Sequence, residues 1–205
     1  RARDVLWGDG DPRHTPSAVA WRERPAAEKF RDNRTQPGST VFFGDSITSD
    51  AQWGELFGGL LNRGVPGDTT RDLLARLDEV TARRPARLFM MIGVNDLVAG
   101  TSPDALVASV ATLLGRLRDE TPETRVTLIS MLPIRHATLR GVDNALIHSV
   151  NLRFAELARR EGVPFVDAYP RFLDPNGELR TELTTDGVHL RPAGYWVLRD
   201  ALVEE

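Results

Sequence analysis

Short apolar runs and amphipathic stretches follow one another along this chain in a regular order. Five runs rich in β-branched, aromatic and leucine side chains are typical of buried strands. They cover residues 40–43, 60–63, 87–92, 125–131 and 163–166. Other stretches repeat apolar residues every three or four positions, as one face of a helix does, over residues 69–84, 103–120 and 146–157.

This alternation of strands and helices predicts an α/β fold. Helices that connect parallel strands cover both faces of a sheet, so we expect a three-layer α/β/α sandwich around a central, mostly parallel five-stranded sheet. Ligands of such folds bind at the carboxyl ends of the strands. Functional side chains are therefore expected directly after the strands.

The first 38 residues differ in composition from the rest of the chain. Residues 1–16 hold two glycines and two prolines among charged side chains, which favours irregular backbone. Residues 17–32 fit a helix with Ser17 as its N-cap. Since 205 residues is a usual size for one domain, we expect an arm and helix over 1–38 packed on a single domain over 39–205.

The overall composition narrows the classes of function. Hydrophobic residues make up 41% of the chain and charged residues 27%, as in ordinary globular proteins. With a net charge of -3 and scattered arginines, the chain shows no evident basic patch, so we expect no nucleic-acid partner. It contains no cysteine, which excludes disulfides, thiolate metal sites and cysteine nucleophiles.

The compartment and the oligomeric state stay open at this stage. The longest apolar run, residues 88–94, is far shorter than the roughly 20 residues of a membrane helix, so we expect no membrane span. The chain starts at Arg1, and a signal peptide removed before that point would be invisible. Both a cytoplasmic and a secreted protein fit these observations.

The first candidate for chemistry follows the first predicted strand. In Gly44-Asp45-Ser46-Ile47-Thr48, the serine falls on a tight turn that opens a helix. Its hydroxyl would be exposed there, and its N–H would lie at a helix N-terminus. Taken alone, a serine in this position is more often a plain N-cap.

Two further strand ends carry possible hydrogen-bond donors. Gly64, at the start of a turn before a threonine-capped helix, has no side chain to block its N–H, although a lone glycine is usually a turn residue. Asn95 follows the strongest predicted strand with an amide that can donate a hydrogen bond. An isolated asparagine at this point would usually be a turn or cap residue.

A carboxylate and an imidazole lie close together near the end of the chain. Asp186 and His189 are three residues apart in a loop before the last predicted helix. This separation lets the carboxylate hold one ring nitrogen while the other faces a nucleophile. His14, His136 and His148 lack such a partner nearby in sequence, although His136, in a loop after a strand, could contact a substrate.

Together these blocks resemble the signature of the SGNH (GDSL-type) hydrolase superfamily. Its name refers to the four residues that correspond here to Ser46, Gly64, Asn95 and His189, and all four occur in order. The resemblance covers about residues 39–202. It implies a flavodoxin-like SGNH hydrolase fold and a serine esterase that uses no cofactor and no metal.

The resemblance also implies a role for each residue. Ser46 would attack an ester carbonyl while His189 takes its proton and Asp186 orients the imidazole. The N–H groups of Ser46 and Gly64 and the side chain of Asn95 would form the oxyanion hole.

Other stretches are similar to those of acetyl-ester hydrolases in particular. Residues 63–70, Leu132-Pro133 and residues 186–190 resemble the bacterial sialate O-acetylesterases and the catalytic subunits of platelet-activating-factor acetylhydrolase. Ile47 replaces the usual leucine of the family, a volume-conserving change. The expected substrate is therefore a small molecule, an acetylated sugar or lipid.

Three alternatives stay open. A thioesterase or an acyltransferase could use the same triad, and a protein that only binds acetylated glycans could retain the same cleft. Asp45, Asp68 and Asp96 adjoin the candidate residues and could suggest a carboxylate metal site. Acidic residues at strand ends more often cap helices or brace turns, so we expect no catalytic metal.

Overall fold

A computed structural model describes Phe30, residues 38–135, Leu139 and residues 141–204. The predicted arm and helix of residues 1–38 lie outside the described residues, apart from Phe30 and Gly38. His14 and His136 also lie outside them.

The described residues form a five-stranded sheet in which every pair of neighbouring strands is parallel. Its strands are β1 (Thr40–Gly44), β2 (Leu61–Gly64), β3 (Arg87–Met91), β4 (Arg125–Ile129) and β5 (Phe165–Val166). Each predicted strand overlaps its observed counterpart, which confirms the expected α/β class. Their order is β2-β1-β3-β4-β5, so the chain changes direction across the sheet beside β1. In open parallel sheets ligands bind at such a switch point, outside the carboxyl ends of the strands.

Eight α-helices occur in the described part of the chain. They are α1 (Ser46–Asp50), α2 (Trp53–Phe57), α3 (Thr70–Ala75), α4 (Leu77–Thr81), α5 (Val94–Val98), α6 (Pro103–Glu120), α7 (Asn144–Glu161) and α8 (Pro192–Val203). None of these helices combines the length and the apolar character needed to cross a membrane. Short 3-10 turns lie at Tyr169–Phe172 and Thr181–Leu183.

The prediction of one helix over residues 69–84 is wrong in one respect. Two helices, α3 and α4, cover this stretch. The backbone leaves helical geometry at Arg76, with φ -117° and ψ 14°, between α3 and α4. The side chain of Arg76 is buried, and its guanidinium bonds Asp68 and the carbonyl of Gly44. Apolar spacing alone does not predict this break, because an arginine in the pattern is expected to face water.

The two faces of the sheet carry separate cores, as a three-layer sandwich requires. Successive side chains of a strand point to opposite faces. Val41 and Phe43 join the core formed with α3, α4, α6 and α7. Phe42 joins the other core, with α2 and α8, and stacks on Trp53 at a ring-centroid distance of 3.7 Å.

The end of β2 passes directly beneath α1. A Cβ atom built on Gly64 would lie 2.2 Å from the backbone nitrogen of Ser49 and 2.6 Å from its Cα. Backbone atoms at that distance cannot move aside without shifting the helix that begins at Ser46. Glycine is therefore required at position 64 for packing.

Gly64→Ala should destabilise the protein by about 2 kcal/mol or more, because the added methyl group overpacks the contact between β2 and α1. The free energy of unfolding in urea measures this loss. Gly115→Ala is the matched control: it lies within α6, where the nearest atom to a new Cβ is Arg118 Nη2 at 3.8 Å. That variant should gain up to about 1 kcal/mol from helix propensity. Equal stability of Gly64→Ala and the wild type would contradict the packing role.

Candidate active site

Ser46 is the first residue of α1, directly after the turn that follows β1. Asp45 is the N-cap, and its carboxylate accepts a hydrogen bond from the N–H of Ile47 at 3.0 Å. The Ser46 residue is 8% exposed. Among the described residues its N–H donates no hydrogen bond, as is usual for the first residue of a helix. Both the hydroxyl and the N–H of Ser46 are thus presented at the carboxyl edge of the sheet.

The structure brings Ser46, His189 and Asp186 into one hydrogen-bonded chain. His189 Nε2 lies 3.0 Å from Ser46 Oγ, and His189 Nδ1 lies 2.7 Å from Asp186 Oδ2. These distances fall in the range at which a base takes a proton from a hydroxyl. The side chains of His189 and Asp186 are 13% and 24% exposed, so a substrate can reach the imidazole from solvent.

The loop that carries His189 is anchored to the rest of the fold. Thr184 Oγ1 donates to the carbonyl of His189 at 2.8 Å and accepts from the N–H of Gly187 at 2.9 Å. The carbonyl of Gly187 in turn accepts from the N–H of Arg135 at 2.8 Å. Gly187 has φ +94°, and a Cβ there would lie 2.9 Å from Arg135 O, so a glycine is required.

Asp186 is held in its ionised form. Burial by itself would raise the pKa of Asp186, but the hydrogen bonds from the His189 side chain and from the N–H groups of His189 and Val188 outweigh it. The net effect is a pKa below the ordinary value of an aspartate. A carboxylate that stays charged stabilises an imidazolium next to it, as a general-base histidine requires.

Asn95 lies in α5, at the carboxyl end of β3. Its side-chain Nδ2 donates to the backbone carbonyl of Asp68 at 2.8 Å, which ties α5 to the turn after β2. An amide nitrogen has two donor hydrogens, so the second remains available to a ligand. The residue is 4% exposed, which keeps competing water away from that donor.

Gly64 does not occupy the position predicted for it. Its N–H donates to Asn62 Oδ1 at 2.9 Å, and the residue is buried beneath α1. Gly67 is the better placed glycine, because it is partly exposed and adjoins Asp68, whose carbonyl holds Asn95. It has φ +81°, and among the described residues its N–H has no acceptor. The sequence signal for it was the Pro66-Gly67 pair, a typical turn with a left-handed glycine.

Protein groups already bind the three aspartates next to the candidate residues. Asp45 caps α1, and Asp68 pairs with Arg76 at 2.7 Å. Asp96 accepts from the N–H of Thr70 at 3.0 Å and from its hydroxyl at 2.5 Å. In the part of the chain that the structure describes, no group of three or more His, Asp or Glu side chains could hold a metal ion.

Burial changes the proton affinity of two of these carboxyl groups. It raises the pKa of Asp45 to about 7 against the hydrogen bond from Ile47, and the charge of Asp68 adds to the increase. It raises the pKa of Asp96 to about 6, although the bonds from Thr70 oppose the change. Burial therefore makes the ionised forms of Asp45 and Asp96, which predominate only above these pKa values, unfavourable in this region.

A small cavity of about 10 Å³ lies beside Ser46. It is lined by Asp45, Ile47, Met91, Ile92, Val94, Met131, Leu132, Pro133, Ile134 and Val188. Four of these residues adjoin Ser46, Asn95 or His189 in sequence. The cavity is mostly apolar, and its volume is near the minimum that holds a single water molecule.

A larger groove and His148 both lie away from the carboxyl edge of the sheet. A groove of about 590 Å³ lies at the amino ends of β3 and β4, where Arg87 and Arg125 line it. His148 is exposed on α7, with its ring centroid 5.5 Å from that of Tyr169. The candidate site is therefore the carboxyl edge between β1 and β3.

Known proteins resemble this chain in sequence and in fold. Residues 42–197 match the model of the GDSL-like Lipase/Acylhydrolase family. Platelet-activating factor acetylhydrolase IB subunit alpha1 from Bos taurus is 29% identical over 177 residues, 80% of this chain and 73% of that protein. A GDSL-like lipase from Bacteroides thetaiotaomicron superposes with a TM-score of 0.76 at 26% identity, over 92% of this chain and 97% of that chain. An acetylxylan esterase from Geobacillus stearothermophilus shares the fold, with a TM-score of 0.69 at 21% identity over 83% of this chain and 94% of that chain.

Asp45→Asn should make stability less dependent on pH. The folded state binds a proton at Asp45 more tightly than the unfolded state, so wild-type stability should fall as the pH rises from about 4 to about 7, by at most about 1.4 kcal/mol per pH unit. Asparagine retains the acceptor for Ile47 N–H but cannot ionise. Urea unfolding at several pH values should thus show Asp45→Asn gaining on the wild type across this window.

Asp45→Ala is the control for this experiment, because it removes the cap as well as the charge. It should be less stable than Asp45→Asn at every pH. A stability difference between Asp45→Asn and the wild type that stays constant with pH would contradict the raised pKa.

Proposed function

Because the chain belongs to the GDSL-like lipase/acylhydrolase family, a family of ester hydrolases, we propose that it hydrolyses short-chain esters, above all acetyl esters, through Ser46, His189 and Asp186. Family membership confirms the predicted class of enzyme. The observation that carries the proposal is the continuous hydrogen-bonded chain from Asp186 through His189 to Ser46.

The proposed reaction has two steps. Ser46 Oγ attacks the ester carbonyl carbon as its proton passes to His189 Nε2, and the tetrahedral intermediate expels the alcohol, which takes that proton. Water then attacks the acyl-serine, again losing a proton to His189, and the carboxylic acid leaves as Ser46 Oγ regains a proton. Asp186 remains ionised throughout and stabilises the imidazolium.

Three donors at the carboxyl edge suit the oxyanion of the intermediate. They are the N–H of Ser46, the N–H of Gly67 and the second side-chain hydrogen of Asn95. Two of them belong to groups that other contacts hold in place, since Ser46 starts a capped helix and Asn95 is bonded to Asp68 O at 2.8 Å. Preorganised donors of this kind stabilise charge that develops only in the transition state.

The small cavity beside Ser46 supports a short acyl group. Ile47, Val94 and Val188 line it, and each directly adjoins one of the residues proposed to act on the ester. At about 10 Å³ the cavity is near the minimum that holds one water molecule, so each methylene beyond an acetyl group would have to displace packed side chains. The similarity to acetylhydrolases also favours a short acyl group. For the alcohol half of the ester we propose a sugar or a lipid.

Ser46→Ala should leave the protein folded but lower kcat for an aryl acetate by roughly 10³-fold or more, because the covalent route is lost. A fluorophosphonate probe should label the wild type at Ser46 and should not label the variant. Ser49→Ala, in the same helix, is the matched control and should retain both activity and labelling. Unchanged turnover in Ser46→Ala, or a label on another residue, would rule out the proposed nucleophile.

The value of kcat/KM should fall by about tenfold or more from p-nitrophenyl acetate to the butyrate, because extra methylenes do not fit the cavity. Val94→Ala enlarges the cavity and should raise the ratio of butyrate to acetate activity by about tenfold. Val110→Ala, a buried valine of α6 in the core away from the site, should leave that ratio unchanged. A wild-type maximum at octanoate or longer chains would favour a lipase or a long-chain thioesterase instead.

A further inference from the structure

The buried guanidinium of Arg76 contacts two of the segments that carry candidate site residues. Its side chain and that of Asp68 are both 0% exposed, and the two groups pair at 2.7 Å. Its Nη2 also donates to the backbone carbonyl of Gly44 at 3.0 Å. The guanidinium carbon lies 4.5 Å from the ring centroid of Phe43, so an aromatic face covers the charge.

A fully buried ion pair is a costly way to stabilise a fold, because two charges must lose their water. Apolar residues of similar volume often serve stability as well. The position of this pair suggests another role. Gly44 directly precedes the turn that carries Ser46, and Asp68 directly follows Gly67.

Arg76 therefore joins two segments that both contribute to the candidate oxyanion hole. One bond holds the end of β1, and the other holds the turn after β2. The backbone carbonyl of that same Asp68 accepts the hydrogen bond of Asn95 at 2.8 Å. A single planar guanidinium is thus connected to the segments of all three donors, from Ser46, Gly67 and Asn95.

We propose that Arg76 is a positioning residue that sets the spacing between the Ser46 turn and the Gly67 turn, and through Asp68 the direction of the Asn95 amide. This inference rests on the proposed esterase function. Lysine cannot replace the arginine, because an ammonium group lacks the planar fork that bonds a carboxylate and a carbonyl at fixed angles. The break between α3 and α4 at Arg76 is where this side chain enters the interior.

Misplaced oxyanion-hole donors stabilise the transition state less well, whereas they change the binding of the substrate much less. Loss of Arg76 should therefore lower kcat and leave KM nearly unchanged. Loss of Arg76 alone also leaves Asp68 buried without its partner, which lowers stability for a separate reason. A useful test has to separate these two effects.

The double variant Arg76→Met with Asp68→Asn separates them, because it removes both buried charges and keeps the backbone carbonyl of position 68. We expect Arg76→Met alone to lose thermal stability and kcat. In the double variant Tm should recover toward the wild-type value, while kcat for an aryl acetate stays roughly 10- to 100-fold low with little change in KM. Arg76→Lys should also fail to restore kcat.

Arg63→Met is the matched control, since it breaks another buried arginine–carboxylate pair, with Glu79 at 3.3 Å. It should lower Tm and leave kcat near the wild-type value at a temperature well below its transition. This control shows whether loss of a buried ion pair is by itself enough to reduce turnover.

A second readout does not depend on esterase activity. The side-chain amide peaks of Asn95 in a proton–nitrogen correlation spectrum, assigned with Asn95→Ala, should shift in the double variant and stay in place in Arg63→Met. A stable double variant with wild-type kcat, or with unmoved Asn95 peaks, would overturn the proposal for Arg76. A wild type that hydrolyses no ester would instead overturn the proposed function, and the Asn95 peaks would still decide the role of Arg76.

Discussion

Three hydrogen bonds from side chains outside the five-residue helix α1 hold it in place, and the candidate site depends on them. Its backbone carbonyls at Ile47, Thr48 and Ser49 accept from Tyr195 Oη at 2.8 Å, Trp53 Nε1 at 2.9 Å and Asn62 Nδ2 at 3.0 Å. A helix of this length is not stable alone, because nucleation costs more than its few internal bonds return. The position of Ser46 is therefore a property of the whole fold.

Four charged or ionisable side chains are buried at the carboxyl edge of the sheet, near Ser46. Asp45, Asp68, Asp96 and Arg76 are each at most 2% exposed. Burial is unfavourable for every one of them, and the raised pKa values of Asp45 and Asp96 express that cost. Such groups are tolerated where they orient other groups, and here they brace the turns that present Ser46 and Asn95.

Much of the fold and part of the site could be predicted from local sequence. All five strands were predicted, and four of them are the largely apolar runs that a buried parallel strand needs, whereas the edge strand β2 contains Asn62 and Arg63. The spacing in α6 matched the observed Pro103–Glu120. The predicted helix over 69–84 broke at Arg76, where a contact made by a buried side chain overrode the periodicity. Gly64, which ends β2, and Gly67, in the turn after it, also look alike in sequence, and only their hydrogen bonds distinguish them.

The sequence by itself determined the α/β class, the family resemblance and the candidates Ser46, Asn95, Asp186 and His189, since these follow from periodicity and short motifs. Tertiary structure alone decided which groups meet: Ser46 and His189 are 143 positions apart, and Asn95 and Asp68 are 27 apart. The contacts of Arg76 and the size of the cavity beside Ser46 were likewise decided only by the tertiary structure. Hydrogen bonds and packed volumes depend on distances of a few tenths of an ångström between remote segments, and no local pattern encodes those distances.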